Sequence, residues 1–159
     1  MTISDLTQSS VDPVSPKINW ARSEEADNFA ETVKLYRQGK YDEASFRRFR
    51  LQHGAYGTRM TSDYAMVRVK LPAGEIYPKQ FEKLSQLSEQ YSIGSANFST
   101  RENIQLPWVI LEDVSEIFRS LAEVGLTSRE ACGNSVRNVM CSPLSVSYTH
   151  LTLPTTPYV

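Results

Sequence analysis

The sequence predicts an α+β domain: two amphipathic helices, then an antiparallel sheet with two further helices on one face. Three observations carry this. Phe29, Val33 and Tyr36 recur at helical spacing, and the period drops to two in "YAMVRVKLP". Helix-period and strand-period segments then alternate up to about residue 142. A chain of 159 residues, 40% apolar and 22% charged, has room for one such domain with a piece of a second.

The elements follow in order. Residues 1 to about 20 are polar, Ser/Pro-containing and aperiodic, and read as a flexible leader. Ser23 is placed to cap a helix whose first turn holds Glu24 and Glu25, opposite in sign to the helix start, and Gly39 ends it. Asp42 caps a second helix bearing Phe46, Phe49 and the basic set Arg47, Arg48 and Arg50. Residues 53–60, "HGAYGTRM", form a glycine-punctuated loop. In the next strand Ala65, Val67, Val69 and Leu71 take one face, and Tyr64, Met66, Arg68 and Lys70 the other. Pro78 opens a helix with the stripe Phe81, Leu84, Leu87 and Tyr91. Strands at 95–100 and 103–110 precede a helix carrying Val114, Ile117, Phe118, Leu121 and Val124, which Gly125 stops. A short strand at 136–141 completes β-α-β-β-α-β, the ferredoxin-like arrangement. The expected organisation is a leader (1–20), a helical segment and loop (21–60), the ferredoxin-like half-domain (61–142) and a foreign tail (146–159).

The tail, "VSYTHLTLPTTPYV", has no charge, no helical stripe and two prolines. Its first ten residues resemble the translation of a common transposase sequencing adapter. It is set aside from the fold, with the expectation that the natural chain is longer.

Composition excludes several classes. A formal net charge of -1 gives no global attraction to nucleic acid or acidic membranes, so any anion site must be local. No apolar run approaches the roughly 20 residues that span a bilayer, and the N-terminus lacks a secretory pattern. A cytoplasmic protein with reduced thiols is expected. The cysteines, Cys132 and Cys141, have a C-x8-C spacing that matches no zinc motif, and they read as small buried thiols. No metal ligand is assigned.

The arginines carry more information. Arg68 and Lys70 project from the strand face opposite Val67 and Val69, Arg101 lies between two strands, and Arg137 precedes "NVM". Lone arginines are ordinarily solvated. Several at the element ends of one small sheet suit a polyanion, because guanidinium stays charged and binds oxyanions bidentately.

Three motifs, "MVRVKLPAGEI", "GSANFSTRENIQL" and "EVGLTSREACGNSVRNVMCSPL", resemble in order and spacing the opening third of the sirohaem-dependent sulfite and nitrite reductases. The resemblance covers roughly Phe46 to Leu144, and "HGAY" joins it. It implies six-electron reduction of sulfite to sulfide or nitrite to ammonia, with sirohaem coupled to a [4Fe–4S] cluster. Arg68 and Arg137 match basic residues that hold the substrate oxyanion. Arg101 and Gln105 match sirohaem contacts, and Asn134 and Asn138 flank Arg137 beside the macrocycle. Lys70, on the same strand face as Arg68, joins the cofactor-binding set. Also implied are a monomeric parent, a ferredoxin donor first or a flavoprotein second, and no nucleic-acid or membrane partner. Pro107 stands where many relatives have His, and neither cysteine matches a cluster ligand. The cluster cysteines and two active-site lysines belong downstream, so the chain alone is expected to be inactive. The rival readings are an RNA-recognition module, for which the strands lack the aromatic RNP1 pattern, and a non-catalytic small-ligand domain of the same fold.

Overall fold

The computed structural model describes residues 23–58, 61–133 and 135–142. The expected leader, the tail and Asn134 lie outside these residues. Helix α1 (Ser23–Arg37) carries Glu24 and Glu25 in its first turn and Lys34 and Arg37 in its last, the charge order the helix dipole favours. It ends where Gly39 N–H donates to Tyr36 O (2.9 Å) and Lys40 N–H to Leu35 O (3.0 Å). Helix α2 (Glu43–Gln52) is capped as expected, since the Asp42 carboxylate accepts from the N–H groups of Ala44 and Ser45. Tyr36 stacks on Phe46 with centroids 4.0 Å apart, which fixes α2 against α1.

The sheet contains β1 (Ala55–Gly57), β2 (Tyr64–Val69), β3 (Asn97–Phe98) and β4 (Ile104–Ile110), in the order β1-β2-β4-β3, every pair antiparallel. Helix α3 (Pro78–Tyr91) follows a 3-10 turn at Pro72–Gly74, and α4 (Val114–Glu123) follows one at Leu111–Asp113. Val67, Val69, Leu84, Leu87, Ile117 and Leu121 join one buried cluster, so α3 and α4 cover the same face of the sheet as expected. Phe29 of α1 packs edge-on against Phe118 of α4 at 5.1 Å. Each such buried side chain contributes about 1.5–3 kcal/mol.

Two expectations are corrected. Residues 136–141 form no strand. The edge of β2 that they were to fill is taken by β1, drawn from the expected loop, with Ala55 opposite Val67. Thr127 extends that edge by bridging Lys70, whose N–H donates to Thr127 O (2.9 Å). With no edge left to pair and no face to bury, Val136 and Val139 stay exposed. The expected strand at 95–100 shrinks to Asn97–Phe98, because a tight turn begins at Ser99.

Gly54 explains why β1 can lie so close. Its φ is +78°, and a Cβ there would collide with the Ser128 carbonyl oxygen. β4 carries a bulge in which Pro107 and Trp108 oppose Met66 between the pairs Ala65–Val109 and Val67–Leu106. A proline is tolerated there because the ladder is already interrupted.

Candidate functional site

The face of the sheet away from the helices is open. Alternation places Met66 and Arg68 of β2 on it, and the register sets Gln105 of β4 directly opposite Arg68 and beside Asn97. Tyr64 and Trp108, also on this face, meet edge-on at 6.0 Å and are both exposed.

Arg101 lies in the β3–β4 hairpin that adjoins this sheet. Glu102 N–H donates to Ser99 O (3.0 Å) and Ser99 N–H to Asn103 O (2.8 Å), with Glu102 at φ +57°. That is the three-residue loop in which a left-handed residue follows a turn. The Ser99 hydroxyl oxygen accepts from the N–H groups of Arg101 (3.3 Å) and Asn103 (3.2 Å), fixing the backbone from which Arg101 projects.

Residues 135–142 strap across the end of β2. Asn138, 6% exposed, donates through Nδ2 to the carbonyls of Leu71 (2.7 Å), Arg101 (3.1 Å) and Glu102 (3.4 Å). Ala73 N–H donates to Val139 O (2.8 Å), and Lys70 Nζ to Val136 O (3.1 Å). Asn138 therefore positions Arg101 and Arg137 through the backbone. That role was invisible in the sequence, where no spacing rule marks an asparagine as a clamp.

The expected site residues separate into two groups. Arg68 and Gln105 lie opposite each other on the open face, and Arg101 belongs to the adjoining hairpin. Arg68 Nε and Arg101 Nε are buried without a hydrogen-bond partner among the described residues. Arg137 is exposed. Lys70 is committed elsewhere: Nζ lies 4.0 Å from a Glu130 carboxylate oxygen as well as on Val136 O. Burial lowers its pKa, with Glu130 opposing. The thiols do no visible chemistry. Cys132 is buried with Sγ 3.7 Å from Gly54 O, and burial raises its pKa more than the two arginines lower it. Cys141, half-buried, lies 3.7 Å from Ala73 O.

The remaining cations behave differently. Arg37 pairs with Asp63 (2.8 Å) and Glu112 (2.7 Å), Lys83 with Glu123 (3.0 Å), Arg119 with Asp27 and Glu116, and Arg129 with Glu25. Arg47, Arg48, Arg50, Arg68, Arg101 and Arg137 have no ion pair among the described residues. The sequence displayed the α2 arginines plainly but gave no means to tell paired from unpaired.

A four-stranded antiparallel sheet with helices on one face has the architecture of a ferredoxin-like half domain, here with arginines left without ion pairs about the other face. Residues 56–124 match the family model described as the nitrite/sulfite reductase ferredoxin-like half domain. Through this segment the chain is similar to the nitrite/sulfite reductases. A sulfite reductase [ferredoxin] of Mycobacterium tuberculosis is 37% identical over 87 residues, 55% of this chain and 16% of the relative. A chloroplastic ferredoxin–nitrite reductase of Betula pendula is 39% identical over 94 residues, 58% of this chain and 16% of the relative. The solved structure of the Mycobacterium tuberculosis NirA protein superposes with a TM-score of 0.64 at 27% identity, covering 78% of this chain and 26% of that one. The chain thus spans about a sixth of the length of these curated relatives.

Proposed function

We propose that this chain supplies the first ferredoxin-like half of a sirohaem-dependent sulfite or nitrite reductase, whose open sheet face holds anionic groups. The observation that carries this is the pair of buried guanidinium nitrogens, Arg68 Nε and Arg101 Nε, that no carboxylate or carbonyl satisfies among the described residues. A buried charged donor left unbonded is costly, and a carboxylate-rimmed macrocycle with an oxyanion substrate supplies the acceptors. The residues present therefore fit the group. Arg68, Arg101 and Gln105 would hold its rim, with Asn138 fixing the turn that carries Arg101.

When bound, sirohaem coupled to a [4Fe–4S] cluster supplies the electron transfer for reducing sulfite to sulfide or nitrite to ammonia. The chain's own contribution is electrostatic. Arg68 and Arg137 orient the substrate oxyanion and stabilise negative charge developing on the leaving oxygen. Being permanently charged, they donate hydrogen bonds without releasing protons. Cluster ligands belong to the longer parent chain. The relatives' names support a ferredoxin as donor. Among the described residues no helix is long and apolar enough to cross a membrane.

The test is Arg137→Ala in a full-length reductase carrying this half domain. Turnover of sulfite or nitrite should fall by at least ~10²-fold, the low end for removing one preorganised donor. Cys132→Ser and Cys141→Ser should keep most turnover and the full cluster spectrum. Intact turnover in Arg137→Ala, with the cluster lost in a cysteine variant, would refute the assignment.

A further inference from the structure

The arginines of α2 are left over from this reading. Arg47 and Arg48 are exposed and form one wall of a cleft of about 520 Å³, a volume within the usual range for ligand sites. Gly133 and Ser135 form the opposite wall, with Leu51, Gln52 and Cys132 between. The walls approach closely because Gly133, at φ +80°, lies where a Cβ would come 3.3 Å from Leu51 Cβ.

No carboxylate forms an ion pair with these arginines among the described residues, although the Asp42 charge acts on Arg48. At the start of α2, Asp42 is taken by its capping bonds and Glu43 by the Tyr36 hydroxyl. Glu130, in the opposing loop, faces Lys70. Cys132 at the base is 2% exposed, and burial keeps its thiol neutral even though Arg68 and Arg137 favour the thiolate. The cleft is therefore suited to binding rather than to nucleophilic chemistry. The N–H groups of Cys132 and Gly133 make no hydrogen bond to any described residue.

We infer that this cleft is a second anion site, distinct from the Arg68–Gln105 face, and that it takes a doubly charged tetrahedral oxyanion of the sulfate or phosphate class. Neighbouring helix residues point about 100° apart, so Arg47 and Arg48 approach from different directions. That suits an anion with oxygens on several sides; a planar carboxylate is satisfied by one guanidinium in a bidentate pair.

The experiment is a sulfate titration of the chain followed by amide NMR, with sodium chloride at matched ionic strength as reference and malonate as a carboxylate probe. Sulfate should shift the Cys132 and Gly133 amides saturably. Affinity should drop at least ~10-fold in Arg47→Gln/Arg48→Gln, the scale of losing charge-assisted donors, and by a smaller factor in Arg68→Gln, whose charge reaches Cys132 without lining the cleft. Because the α2 arginines are exposed, the double variant retains the fold. Shifts equal to those from chloride, or lost in Arg68→Gln but kept in the α2 variant, would overturn the site. Malonate binding as tightly as sulfate would overturn the tetrahedral assignment. An anionic role for the open face survives any of these results, since it rests on Arg68 and Arg101.

Discussion

The two faces of the sheet treat charge in opposite ways. On the helix-covered side the core of the layer is apolar, and four of the cations around it, Arg37, Lys83, Arg119 and Arg129, meet carboxylates. Around the open face and α2, six arginines have no such partner among the described residues. Surface ion pairs contribute little individually, so the contrast says less about stability than about purpose. Cations paired within the domain tie elements together, whereas the unpaired ones are, on the proposed function, kept for an anion from outside it.

Perturbing the covered side should have the largest effect. Leu106→Ala or Ile117→Ala should each destabilise the chain by about 2–5 kcal/mol, read from urea unfolding, because both side chains are fully enclosed between sheet and helices. A change on the open face such as Tyr64→Ser should stay within ~0.5 kcal/mol. If the two changes cost the same, the open face would be part of the core and the contrast would fail.

Asn138→Ala tests the clamp joining the regions. Three carbonyls lose one amide donor, and the expected cost is about 1–3 kcal/mol. Faster hydrogen exchange should be confined to the β3–β4 turn and the 135–142 strap. Exchange unchanged in that turn would mean that Asn138 does not position Arg101.

The smallest effect concerns α2. Capping bonds to Ser45 and Ala44 lower the Asp42 pKa. Its folded value is therefore below the unfolded one, near 3.9. The stabilisation it gives is fully present above that value and is lost as pH falls through the folded pKa. The stability gap between the natural chain and Asp42→Ala should be constant above about pH 5 and shrink on acidification. A gap that widens in acid would contradict the cap.

Local chemistry was legible in the sequence where it acts within a few residues. Asp42, Gly39, Pro78 and the alternation through Val67 and Val69 sit where the spacing put them, and so do Arg68 and Gln105 as strand residues. What escaped depends on competition at a distance. The stretch Val136–Cys141 has a plausible strand pattern, but Ala55 and Thr127 occupy the edge it would need. Lys70 shares the parity of Arg68, yet lies against Glu130 and Val136, residues that only the folded chain brings near. Pairing is likewise a tertiary property, so the α2 arginines looked no different from Arg119.

The central claim is that Arg68 and Arg101 are kept for an outside anion and do not support the fold. Urea unfolding of Arg68→Gln and Arg101→Gln at low ionic strength, beside Arg119→Gln, tests it directly. Arg119→Gln should lose about 0.2–1 kcal/mol, as surface pairs do. The other two should match or exceed the natural chain, because each replaces a guanidinium charge that the fold leaves unpaired by a neutral amide. Losses in Arg68→Gln and Arg101→Gln larger than that of Arg119→Gln would show that the fold itself satisfies these charges, contradicting the account.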